Sequence, residues 1–185
     1  MLDAERRAVA DRAADLAALT PGRTGNCSVR RGDRIAVTPS GVPYDAIDPV
    51  DVPVVSLDGD RLAGSLDPSS ETPMHRGIYD RFDCGAVLHC HSPWVTTLAV
   101  LREPLPPVHY MLALAGGRVP LATYATYGTE QLAANVVAAM AEVDSEACIL
   151  ANHGLVATGA DLDEAFETAT AVESVARVYC QARAV

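Results

Sequence analysis

The run Ala86-Val87-Leu88-His89-Cys90-His91 decides how the rest of this chain is read. It has the length and apolar character of a strand over residues 86–91, so His89 and His91 project from one face and Cys90 from the other. Two imidazoles on one strand face cover two corners of a metal's coordination sphere. A third from elsewhere, His153 in Asn152-His153-Gly154, leaves one position open, as in catalytic zinc sites; structural zinc sites are closed by four ligands and rich in thiolates. An HxH pair alone is weak, because two core or surface histidines are commoner than a site. Its weight comes from Ser69-Ser70-Glu71 shortly upstream.

Around this strand the patterning predicts alternating elements. Residues 3–20 carry Val9, Leu16, Leu19 and several alanines among charges, an amphipathic helix ending before Pro21-Gly22. Ser28-Val29-Arg30 and Arg34-Ile35-Ala36-Val37 flank Arg31-Gly32-Asp33, a hairpin. Val54 to Leu57 and Arg61 to Ala63 flank Asp58-Gly59-Asp60, a second. Ser69 or Ser70 can cap a helix from about Glu71 to Arg81, with Pro73 tolerated in its first turn. A helix from Ser92 to Leu101, a Pro-rich link, a strand over 119–124 and a helix from Thr129 to Glu142 follow. Cys148-Ile149-Leu150 and Leu155-Val156-Ala157 read as strands joined by the turn that carries His153. The last helix begins near Leu162, with Ala165, Phe166, Ala169, Val172, Ala176 and Tyr179 as its core stripe. Early hairpins and later alternation give one domain over 1–185, a three-layer α/β/α fold on a mixed, largely antiparallel sheet.

The 185 residues are 49% hydrophobic and 21% charged, a globular composition. A net charge of −10 argues against general binding to nucleic acid or anionic membranes, though a local site could still take a small phosphate. Five cysteines without CxxC spacing, no visible signal peptide and no run of the ~20 apolar residues a spanning helix needs predict a soluble, cytoplasmic protein with reduced thiols.

Three further segments put small hydroxyl or amide side chains beside glycine or a helix start. They are Thr24-Gly25-Asn26-Cys27-Ser28, Thr38-Pro39-Ser40-Gly41-Val42-Pro43-Tyr44 and Pro68-Ser69-Ser70-Glu71. Singly, each reads as a turn or a cap. Together, upstream of the histidine pair, they read as a cradle for an anion. In order and spacing the whole set resembles the class II aldolase/adducin family, most closely its fuculose-1-phosphate aldolase branch, over about residues 5–182.

The resemblance implies that His89, His91 and His153 bind one Zn2+ per subunit, and that Glu71 is the catalytic acid/base. It implies a substrate phosphate held by Gly25, Asn26, Ser40, Gly41, Ser69 and Ser70. Tyr110 would handle the proton on the aldehyde oxygen, reaching the site across a subunit boundary of a fourfold-symmetric homotetramer. The implied reaction splits a ketose 1-phosphate into dihydroxyacetone phosphate and an aldehyde. Zinc as a Lewis acid suits the enediolate charge this creates, and a carboxyl group suits the proton return to carbon.

Alternatives within the family are sugar-phosphate epimerase, dehydratase and decarboxylase; outside catalysis stands a binding module like the adducin head. Glu71 favours a lyase over the 4-epimerases, which carry aspartate there, and the intact metal residues disfavour the binding module. The fuculose-phosphate enzyme carries a tail beyond this chain's Val185. The expected substrates therefore include L-fuculose 1-phosphate and 5-deoxy- or methylthiopentulose 1-phosphates. His75, one turn after Glu71, is expected to pack or hydrogen-bond. Tyr124 and Tyr127 are placed near the rim of the site, and Arg6-Arg7 and Arg30-Arg31 on the solvated surface.

Overall fold

Strand β5 (Ala86–Cys90) runs through the middle of the molecule, in a computed structural model that describes residues 1–22 and 24–185. The other strands are β1 (Asn26–Arg31), β2 (Arg34–Val37), β3 (Val54–Ser56), β4 (Arg61–Ala63), β6 (Leu121–Ala122), β7 (Ala147–Leu150) and β8 (Gly154–Gly159). They form one sheet in the order β4-β3-β2-β1-β5-β8-β7-β6. Among the described residues β6 and β7 pair in parallel and the other strand pairings are antiparallel. The mixed, largely antiparallel sheet read from the sequence is what forms.

Alternation along the strands sends successive side chains to two separate cores. Ala86, Leu88 and Cys90 join Ala147, Ile149, Leu155 and Ala157 on one face. Against them pack α1 (Asp3–Ala13), α2 (Leu16–Leu19), α4 (Pro93–Leu101) and α6 (Leu162–Arg183). Val87, Cys148, Leu150 and Val156 face the other way, toward α3 (Thr72–Arg81) and α5 (Glu130–Val143). Val87 and Leu88 are each fully buried, and burial of such a side chain is worth about 1.5–3 kcal/mol. That burial on both faces makes β5 a rigid mount, and the period of two puts His89 with Val87 on the α3 side.

Local differences from the sequence reading have simple causes. The first helix breaks after Ala13, where Asp15, Ala17 and Ala18 donate to carbonyls three residues back. The tightened turn keeps Leu16 in line with Ala10 and Ala13 in the core. The expected strand over 119–124 shrinks to two residues: Pro120 has no N–H, and Val119 exchanges hydrogen bonds with Leu105 instead. Arg6 is not a surface residue; it is 9% exposed and donates to Val50 O and, at 3.0 Å, to Val52 O, tying α1 to the loop before β3. The cysteines are free thiols, with Cys27, Cys84, Cys90 and Cys148 buried. Among the described residues no helix is long and apolar enough to cross a membrane.

Candidate active site

Three of the five histidines meet at the end of β5. His89 pairs in register with Asn26 of β1 and Val156 of β8, so its imidazole is fixed between two strands. Its Nδ1 lies 2.8 Å from the Leu155 carbonyl. A carbonyl only accepts, so Nδ1 carries a proton and Nε2 is the nitrogen turned toward Glu71 and the other two rings. His91 follows one residue beyond the strand, with its backbone N–H donated to Thr20 Oγ1 at 3.1 Å. His153 sits in the turn between β7 and β8, where its N–H donates to Leu150 O at 2.9 Å. Asn152 adopts a left-handed φ of 58°, which asparagine tolerates better than most residues. Its N–H donates to Ala99 O at 2.9 Å, anchoring the turn to α4.

The three rings stand 4.8, 4.8 and 4.9 Å apart, centroid to centroid. Glu71 enters from the start of α3, 2.9 Å from His89 Nε2 and 3.4 Å from His153 Nε2. It takes the helix cap position itself, and Ser69 Oγ accepts its N–H at 3.3 Å. One donor atom from each of Glu71, His89, His91 and His153 lies within 4.8 Å of all the others. Ligands about 2.1 Å from one ion at tetrahedral corners stand about 3.4 Å apart. Two observations show that these residues fit a cation. His89 Nε2 and His91 Nε2 converge to 2.9 Å, so both rings turn a nitrogen toward one point. Glu71 Oε1 is buried without a hydrogen-bond partner among the described residues. The group can therefore hold one divalent metal.

Electrostatics prepare the ligands for it. Burial, then the charge of His89, holds the His91 and His153 imidazoles down to about 4, so both are neutral near pH 7. Burial resists ionisation of Glu71, but the charge and hydrogen bond of His89, the charge of His153 and the Asn26 amide outweigh it and bring the carboxyl down to about 2. Asn26 Nδ2 donates to Glu71 Oε2 at 3.0 Å.

A cavity of about 320 Å³ opens beside this cluster. All six residues expected around a phosphate line it: Gly25, Asn26, Ser40, Gly41, Ser69 and Ser70, together with Glu71, His91 and His153. Their roles in the walls differ. The backbone N–H groups of Gly25, Ser40 and Ser69 are committed to Tyr44 Oη, Asp67 O and Thr38 O. Those three N–H groups are thus spent on the walls, while Ser40 and Ser70 are exposed at the cavity. Tyr44 is a support the sequence reading left unassigned; its hydroxyl also donates to Gly25 O at 2.8 Å, pinning the first loop. Its place in the Thr38 to Tyr44 segment was the available signal.

Tyr127, placed at the rim from the sequence, lines the cavity, as does Thr24. Gly128 allows that approach: with φ at +73°, a Cβ there would lie 2.6 Å from Ser70 O. Tyr110 is elsewhere. It begins a 3-10 turn over Tyr110–Ala115, is 83% exposed and is not among the residues lining the cavity. Trp94 packs partly buried against the α4/α6 core.

This sheet, with three imidazoles and a carboxylate at the end of its central strand, is that of a metal-dependent lyase family. The profile of the Class II Aldolase and Adducin N-terminal domain matches residues 5–180, and the chain belongs to that family. It is 42% identical over 163 residues to a 5-methylthioribulose-1-phosphate/5-deoxyribulose-1-phosphate aldolase of Rhodospirillum rubrum, covering 87% of this chain and 72% of the relative. It is 41% identical over 170 residues to a 5-deoxy-D-ribulose 1-phosphate aldolase of Bacillus thuringiensis, covering 90% and 79%. A solved L-fuculose 1-phosphate aldolase superposes with a TM-score of 0.93 at 40% identity, over 97% of this chain and 86% of that one.

Proposed function

We propose that the protein is a zinc-dependent aldolase that reversibly cleaves a ketose 1-phosphate into dihydroxyacetone phosphate and an aldehyde. The observation that carries this reading is the placement of Glu71, His89, His91 and His153 at one end of a cavity whose other residues are the expected phosphate cradle. Two relatives named for 5-deoxyribulose 1-phosphate and a structural neighbour named for L-fuculose 1-phosphate support substrates of that class. All-imidazole coordination with a neighbouring carboxylate suits zinc. Zinc held by His89, His91 and His153 supplies Lewis acidity, lowering the energy of negative charge on nearby substrate oxygens.

The chain's own residues account for the rest. Ser40, Ser69, Ser70 and Asn26 hold the phosphate, so binding energy far from the reacting bond fixes the carbons beside the metal. In cleavage the C4 hydroxyl gives up its proton, the C3–C4 bond breaks, and its electron pair remains on the dihydroxyacetone phosphate half. The proton lost from that hydroxyl balances the one that reaches C3 by way of Glu71; in the reverse direction the Glu71 carboxylate removes the proton from carbon. Tyr110 belongs to the same proposal as the group that handles the proton on the aldehyde oxygen in a neighbouring subunit's site. Its exposure, and the groove lined by Leu19, Met111, Leu114 and Phe166 beside it, support a homotetramer with shared sites. Free, mostly buried thiols support a cytoplasmic setting. The test is release of dihydroxyacetone phosphate from 5-deoxyribulose 1-phosphate by the zinc-loaded protein. A chelator should abolish it and added zinc restore it; metal-independent release would overturn the reading.

A further inference from the structure

Behind Glu71, on the side away from the cavity, lies a chain of hydrogen bonds between buried side chains. Tyr79 Oη is 2.8 Å from Ser28 Oγ and 3.0 Å from Ser28 O. Ser28 Oγ is 2.7 Å from His75 Nδ1, and His75 Nε2 is 2.6 Å from Asn26 Oδ1. Asn26 Nδ2 then meets Glu71 Oε2 at 3.0 Å. Ser28 and His75 are fully buried, Tyr79 is 1% exposed, and Asn26 and Glu71 are 5% exposed.

Donor and acceptor chemistry sets the direction of this chain. A carboxylate only accepts, so the Asn26 carboxamide must turn its N–H edge to Glu71 and its carbonyl to His75. His75 must then carry its proton on Nε2. Burial, reinforced by the charge of His89, keeps this ring neutral down to about 3, so Nδ1 is bare and accepts the Ser28 hydroxyl proton. The Tyr79 hydroxyl then shares its one proton between two Ser28 acceptors, Oγ at 2.8 Å and O at 3.0 Å. Every donor meets an acceptor in this arrangement. A carboxamide turned the other way would set its carbonyl against the carboxylate, with no water to relieve the contact.

We propose that His75, backed by Ser28 and Tyr79, is a positioning residue for the reaction, holding the Asn26 carboxamide with its N–H edge on Glu71. Its ring hydrogen-bonds to Ser28 and Asn26 and to none of Glu71, His89, His91 and His153; it acts through Asn26. The inference rests on the proposed acid/base role of Glu71. A general acid/base must meet the reacting carbon in one orientation, and one of its two oxygens is tied down by this amide. A ring that only filled space would affect stability and leave turnover alone.

The test has a readout that needs no activity. Two-bond 15N NMR of the metal-free protein should show His75 protonated at Nε2 and bare at Nδ1; the opposite tautomer would overturn the proposal. In the zinc-loaded enzyme His75→Leu should lower kcat about tenfold or more, with KM within about threefold and metal content unchanged. His75→Gln, which can still offer an N–H toward Asn26, should recover most of that loss. In an Asn26→Ala background His75→Leu should cost nothing further, because its effect runs through the amide. Unchanged kcat in His75→Leu, or full additivity with Asn26→Ala, would overturn the proposal. Should His75→Leu fail to fold, Ser28→Ala and Tyr79→Phe remove single hydroxyls from the same chain. They should lower kcat about two- to tenfold with KM unchanged, and wild-type kcat in both would be equally contrary. A wild type that releases no dihydroxyacetone phosphate would defeat the aldolase reading, while the tautomer still decides the positioning claim.

Discussion

Gly154 lies so close to His91 that a Cβ built on it would stand 2.7 Å from the ring's Cδ2 and 2.5 Å from Cys90 O. The two residues come from neighbouring strand ends, and the absent side chain is what lets β8 approach the histidine cluster. Gly154→Ala must therefore push the His91 ring or open the β5/β8 edge. Metal affinity, read by competition with a chromogenic chelator, should fall about 10- to 100-fold, the scale seen when support for a ligand is lost. Undiminished affinity would show that His91 has room to move.

The proposed phosphate cradle predicts a change in KM. Ser70 is exposed in the cavity wall beside buried Ser69. A hydrogen bond to an anion contributes about 1.5–3 kcal/mol, so Ser70→Ala should raise KM roughly ten- to a hundredfold. Inorganic phosphate should compete with substrate. Equal turnover of unphosphorylated sugars or acids would favour a decarboxylase-like activity instead.

Subunit sharing predicts complementation. Tyr110→Phe and Glu71→Gln should each be nearly inactive alone, and mixed oligomers should regain activity where two intact halves meet. Sedimentation should show a tetramer. An active monomer would exclude the shared site.

Stability should depend on pH in a stated direction. His75, His91 and His153 all have pKa values held below the ordinary histidine value by burial, His75 to about 3 and the other two to about 4. The unfolded chain takes up protons near pH 6.5 that the folded chain refuses, so stability is present above that pH and falls as pH drops toward 4. For fully buried His75 the slope is about 1.4 kcal/mol per pH unit. Urea denaturation of the metal-free protein from pH 7 to 5 should show this loss, and His75→Gln should flatten it. A stability independent of pH there would mean these rings are already charged in the fold.

Much of this was legible in the sequence because it depended on local pattern. The period of two in residues 86–91 placed His89 and His91 on one face, and the turn residues around Asn152 marked where His153 would sit. The start of α3 was readable near Ser69 to Glu71, but the cap was not: Glu71 takes that position in place of Ser69 or Ser70, with no side-chain cap hydrogen bond, and Ser69 Oγ accepts the Glu71 N–H. Register was not legible. That Asn26 lies opposite His89 follows from pairing β1 with β5, a contact between distant segments. With it came the His75 to Asn26 hydrogen bond, whose partners are 49 residues apart. The shortness of β6 also depended on a tertiary event, the pairing of Val119 with Leu105. Nor did the sequence show that Gly25, Ser40 and Ser69 would commit their backbone N–H groups to the walls of the cavity.

The central claim is that Glu71 moves a proton at carbon beside a metal held by three histidines. Hydrogen exchange tests it without any aldehyde present. Zinc-loaded wild type incubated in D2O with dihydroxyacetone phosphate should exchange one hydrogen of the hydroxymethyl carbon, followed by proton NMR. Glu71→Gln, with metal still bound, should exchange it about 10²-fold more slowly or worse. Exchange at the wild-type rate in Glu71→Gln would contradict the account.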